Sequence, residues 1–183
     1  VATMMNEAGV AALNMARNAW RNVDHPSQND LATYIDWNCN ICEVFRQAIS
    51  TSDDDDEADI TRYENLIIAL EDPIGKSSQK QEWFSVVGRY EWVNEYSLNN
   101  SAVSSRRSEV TKCRTKISEL KIAVADKKAA EAKKAEEEKQ ARIKAYWEAH
   151  AEEKAALEAE QKELEAKKDK LATEIAGLDA EIK

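Results

Sequence analysis

Four leucines spaced seven apart, Leu157, Leu164, Leu171 and Leu178, constrain this chain more than any other feature. An α-helix turns every 3.6 residues, so a seven-residue repeat returns each side chain to the same face after two turns. Ile175 and Ile182 fill the alternate positions of that stripe near the end, and Lys154, Gln161 and Lys168 fill the earlier ones. Ile143 and Trp147 open the same seam upstream, and His150 also lies on it. A leucine left in water forfeits about 1.5–3 kcal/mol relative to burial. One helix cannot cover its own stripe, so the ladder predicts a second helix against it. The expected interaction seam is Ile143, Trp147, Leu157, Leu164, Leu171, Ile175, Leu178 and Ile182. Its partner is a second copy of this chain or another helical protein, with packing against the chain's own head as the competing arrangement. Lys and Gln on the seam weaken pairing but restrict register and partner choice.

A first seam precedes this one. Val103, Val110, Ile117 and Val124 are seven apart, with Cys113 and Leu120 between them. Its phase is offset from the leucine ladder by two residues, so the two stripes do not face one direction along a continuous helix. Residues 125–142 between them are mostly Ala, Lys and Glu. Such a segment reads as a solvated single helix supported by opposite charges three and four residues apart, or as a bend or hairpin. From Ser101 to Ala176 nothing strongly breaks a helix, and eighty unbroken residues would reach roughly 120 Å.

The first hundred residues differ in kind. They hold both prolines, three of the four glycines and every aromatic except Tyr146 and Trp147. A helix is expected from about Thr3 to Asn22, on the stripe Met5, Ala8, Ala12, Met15, Ala19 and Val23, widened by Leu13, Ala16 and Trp20. His25-Pro26 ends it, because the residue before proline avoids helical geometry. Ser27 with Asp30 reads as an N-terminal cap for a second helix to about Ser50. An acidic loop, Ser52 to Asp59, leads to a third helix carrying Ile60, Tyr63, Leu66, Ile67 and Leu70, stopped by Asp72-Pro73 and Gly75. Ser78 with Gln81 has the form of a capping box. It predicts a fourth helix with Trp83, Val86, Val87, Tyr90, Val93 and Tyr96 on one side. The expected fold is all-α. An N-terminal bundle of about four helices occupies residues 1–100, and a long C-terminal helix forming a coiled coil occupies 101–183.

Charge is laid out in blocks. Residues 1–100 carry 17 acids and 7 bases, residues 101–144 carry 13 bases and 7 acids, and residues 145–183 carry 11 acids and 6 bases, within a net charge of −9. The acidic head argues against nucleic acid as the main partner. The basic block suits an acidic surface, its own head included, or is simply a solvated helix face. No stretch approaches the ~20 apolar residues of a membrane span. No leader is visible, and three cysteines make no disulfide framework, so a cytoplasmic location is expected. A chain beginning at Val1 reads as a processed product or a fragment.

Three features invite chemistry. Asp53 to Glu64, laid on a twelve-residue calcium loop, puts acids at positions 1, 3, 5, 7 and 12. Calcium would then take Asp53, Asp55, Glu57, Asp59 and Glu64. Ala58 stands where such a loop uses glycine, and Glu57 is long for its position. The alternative is a solvated acidic segment at a helix N-terminus, where negative charge is favourable. Cys39 and Cys42 form a lone CxxC inside a helix, more in keeping with small apolar residues than with metal or redox work. Trp83, Phe84, Tyr90, Trp92 and Tyr96 are expected as bundle core, with Trp92 as a surface anchor, or alternatively as a ligand groove. No phosphate loop, HExxH or GxSxG is present. The chain is expected to be a structural or interaction protein, not an enzyme and without a resident cofactor. A calcium-responsive binding module is the alternative.

Overall fold

The computed structural model describes residues 1–52 and 55–182. In order, the elements are α1 (Ala2–Arg21), α2 (Gln28–Ser50), α3 (Asp56–Glu71), a 3-10 turn (Asp72–Gly75), β1 (Ser78–Phe84), β2 (Arg89–Tyr96), α4 (Asn100–Ala149) and α5 (Ala151–Glu181). The fold is all-α with one small two-stranded sheet. The chain divides into two units, residues 1–127 and residues 128–183.

The helix starts and stops follow local chemistry. Ser27 caps α2: its Oγ accepts from the Asp30 amide, and the Asp30 carboxylate accepts from the Ser27 amide at 2.7 Å. This reciprocal pair satisfies donors that the first helical turn leaves open. Asp55 caps α3 by accepting from the Ala58 amide at 3.1 Å. Pro73 enters the 3-10 turn that closes α3.

The core of the first unit lies where α1, α2, α3 and the first half of α4 meet. Leu13 and Ala16 of α1, Tyr34, Ile41, Cys42 and Phe45 of α2, Leu66, Ala69 and Leu70 of α3, and Val110 and Cys113 of α4 form one buried cluster. The buried side of α1 is the Leu13–Ala16 side rather than the methionine stripe, and Met15 is exposed. Gly9 explains the choice. A Cβ at Gly9 would stand 2.7 Å from the Phe45 ring, so only glycine lets α1 lie this close over a fully buried aromatic.

A polar network joins α2, α3 and α4 inside this core. Asn38 and Arg106 are both buried. Asn38 Nδ2 donates to the Ala69 carbonyl at 2.7 Å, and Arg106 donates to Asn38 Oδ1 at 2.6 Å and to the Leu70 carbonyl at 3.2 Å. Ala69 and Leu70 belong to the last turn of α3, whose carbonyls have no partner within the helix. A cation at that end also meets the negative pole of the helix dipole. The guanidinium thus closes α3 and fastens α4 to it.

Residues 78–96 are a hairpin, not the expected fourth helix. β1 and β2 pair antiparallel, with Gln81 opposite Trp92 and Trp83 opposite Tyr90. Residues 85–88 make the connection, and Gly88 adopts φ +66 there. Ser78 donates to Glu95 instead of capping a helix. The aromatic and β-branched residues of this segment suit a pleated surface. A four-residue connection ending on a left-handed glycine closes such a ribbon without strain. The fourth helix of the head is the first half of α4, so the Val110–Cys113–Ile117 seam is covered within its own unit.

Candidate functional site

Helix α4 is assigned without interruption from Asn100 to Ala149, residues 125–142 included. The break is at His150, whose backbone sits at φ −120 and ψ 43. The His150 ring nitrogen Nδ1 lies 2.8 Å from the Tyr146 carbonyl, the oxygen that its backbone amide also reaches at 3.0 Å. Tyr146 stacks on the His150 ring and meets Trp147 edge to face. A side chain that shares an i−4 carbonyl with the backbone amide bends a helix. α5 restarts at Ala151 with Glu152 and Glu153 in its first turn, where acids favour the helix dipole.

The predicted seam residues lie on these two helices. Ile143 and Trp147 are on the last turns of α4, while Leu157, Leu164, Leu171, Ile175 and Leu178 follow on α5, with Ile182 at its C-cap. α5 has no buried residue, and its four ladder leucines are 48–58% exposed. Leu157, Gln161, Leu164 and Lys168 border a shallow depression on this face together with Glu160 and Glu165. Leu157, Glu160, Gln161 and Leu164 are the four-residue set that receives a partner's knob in coiled-coil packing. Seam lysine and glutamine reach toward acids of their own helix: Lys154 Nζ is 3.7 Å from Glu158, and Gln161 donates to Glu165 at 3.2 Å.

Among the described residues, Asp55, Glu57, Asp59 and Glu64 are not grouped as a ligand set. Asp53 lies outside the described residues. α3 begins at Asp56, so most of the expected loop is helix. Asp55 is engaged as the cap, and Asp59 accepts from Ser52 Oγ and pairs at 2.7 Å with the buried Arg62 guanidinium. Glu57 and Asp59 are two apart on one helix, a spacing that does not place side chains on a common face. Glu64 is exposed one turn further on. Among the described residues no three His, Cys, Asp or Glu side chains are grouped to hold a metal ion. The CxxC pair is split by burial, with Cys39 exposed and Cys42 buried, and burial pushes the Cys42 thiol up to about 11.

Trp83, Tyr90 and Trp92 are exposed and do not enter the bundle core. Trp83, Tyr90 and Trp92 share one open face, and each ring is more than half exposed. Trp83 and Tyr90 meet edge to face across the strands at 5.3 Å, a contact that stabilises the ribbon itself. Phe84 and Tyr96 are half-buried, and Tyr96 meets Trp20 edge to face at 5.5 Å. None of the helices among the described residues is long and apolar enough to cross a membrane. No protein-family model, curated protein or solved structure matches the chain.

Proposed function

We propose that this chain is an interaction protein whose α5 ladder is an interface for another helix. The observation that carries the reading is the contrast within one sequence pattern. Val110, Cys113 and Ile117 are buried by neighbouring helices, whereas the equally regular leucines of α5 are left more than two-fifths open. Apolar stripes that regular mark association surfaces. The helical head then supplies a folded body, and α5 supplies the contact.

Light scattering or sedimentation of the intact chain at tens of micromolar tests this, alone and with synthetic helical peptides bearing an Ile/Leu seam. A mass above 20.6 kDa, or uptake of a seam peptide, supports the reading, provided that Leu164→Ser with Leu171→Ser abolishes it. A chain that remains at its monomer mass and takes up no seam peptide of any flanking charge overturns it.

A further inference from the structure

The flanks of the ladder specify its occupant. With the leucines at the d positions of the heptad, the a positions are Lys154, Gln161, Lys168, Ile175 and Ile182, and the residues beside the seam are the e and g columns. In a parallel pair of copies, each g residue faces the e residue five positions later on the other helix. That sets Glu153 against Glu158, Glu160 against Glu165, and Glu174 against Asp179, and the remaining contact is Lys167 against Ala172. None of the four is attractive. The a layers add Lys154 against Lys154 and Lys168 against Lys168. An antiparallel pair sets e against e and g against g. The e column holds no base and the g column only Lys167, so like charges meet again, and the seam lysines then face leucines.

No other segment of a second copy fits better. The first seam of α4 is already buried through Val110, Cys113 and Ile117. Residues 125–142, although rich in lysine, have no large apolar side chain.

We infer that the α5 ladder pairs with a helix of a different protein, one with an apolar seam, lysine or arginine along both flanks, and acidic or amide side chains at the layers opposite Lys154 and Lys168. This rests on the reading of α5 as an interface. Flank charges set partner choice in coiled coils, and about four contacts of this kind together amount to roughly a tenfold preference or more.

Two synthetic peptides of about four heptads decide it. They share one Ile/Leu seam with glutamate at the two a layers that oppose Lys154 and Lys168, and differ only in carrying lysine or glutamate at every e and g position. The intact chain is expected to stay monomeric by sedimentation. It should bind the lysine peptide at least tenfold more tightly than the glutamate peptide, with the difference shrinking at high salt. A chain with Glu153→Lys, Glu158→Lys, Glu160→Lys and Glu165→Lys should reverse the preference. Equal binding of both peptides, or self-association at concentrations where the lysine peptide does not bind, overturns the choice of partner while leaving α5 an interface. Binding of neither peptide by a chain that stays monomeric removes the interface and this inference with it.

Discussion

Two stripes with the same seven-residue repeat meet opposite fates in this molecule. On α4, Val110, Cys113 and Ile117 enter the core of the first unit, beside a guanidinium that closes the neighbouring helix. On α5, four leucines remain about half open. What differs is the surrounding chemistry. The α4 stripe carries Arg106, Glu109 and Arg114, each with a partner on another element: Asn38 and Leu70, Arg46, and Glu71 respectively. On α5, by contrast, Lys154 pairs with Glu158 and Lys167 with Glu163, both within the one helix. Periodicity says that a face can be covered. The charges beside it say what can cover it.

The comparison breaks most sharply under matched truncations. Ile117→Ala should destabilise the first unit by about 2–4 kcal/mol, because it removes buried methyl groups and leaves a cavity. Leu171→Ala in the uncomplexed chain should change stability by less than about 0.5 kcal/mol, since that side chain is already largely in water. Denaturant unfolding followed by tryptophan fluorescence measures the first, and far-UV circular dichroism the second. A large loss from Leu171→Ala alone would mean that the ladder is covered after all.

Glycine sharpens the contrast, because one substitution should act with opposite signs in the two regions. Gly9→Ala places a Cβ 2.7 Å from the fully buried Phe45 ring, whereas a Cβ at Gly177 meets nothing within 4 Å. Overpacking costs about 1–3 kcal/mol, against about 0.5–1 kcal/mol gained from replacing glycine within a helix. Gly9→Ala should therefore lower the stability of the first unit by about 1 kcal/mol, and Gly177→Ala should raise the helicity of α5. Thermal melts of the two variants should move in opposite directions.

Much of this was legible from local rules. Ser27–Asp30, His25-Pro26 and Asp72-Pro73 mark their boundaries because each acts within a few residues on the backbone that it caps or breaks. The leucine ladder was legible because its repeat spans four heptads. The hairpin was not, because Trp83, Val86, Val87 and Tyr90 fit a helical stripe as well as a pleated one. Gly88 was the usable signal, as a glycine between two aromatic, β-branched runs marks a hairpin turn. The role of residues 101–127 was hidden for a different reason. A heptad stripe looks the same whether its cover comes from the same chain or another one, and the burial of Arg106 depends on Asn38 and Leu70, far away in sequence. The acids beside the α5 seam, Glu153, Glu160 and Glu174 with those of the e column, are legible in the sequence once the heptad register is set by the leucines.

The smallest expected effect concerns how α4 is held to α2. Arg46 Nε and a terminal guanidinium nitrogen donate to the two oxygens of Glu109 at 2.7 and 2.9 Å, a bidentate pair across two elements. That contact holds the Glu109 carboxyl below its ordinary value of 4.5. A carboxyl whose pKa is lower in the folded state contributes stability above its unfolded value and loses it as pH falls through the folded one. Both side chains are about a third exposed, so solvent screens the pair and its contribution is a few tenths of a kcal/mol, up to about 1. Glu109→Gln should therefore be slightly less stable than the parent at neutral pH. The gap should close as pH falls through and below 4.5, when the parent carboxyl is protonated as well. Parallel urea titrations of the two chains at neutral and acid pH measure it. A gap that is unchanged at low pH would assign the loss to packing of the Glu109 stem rather than to its charge.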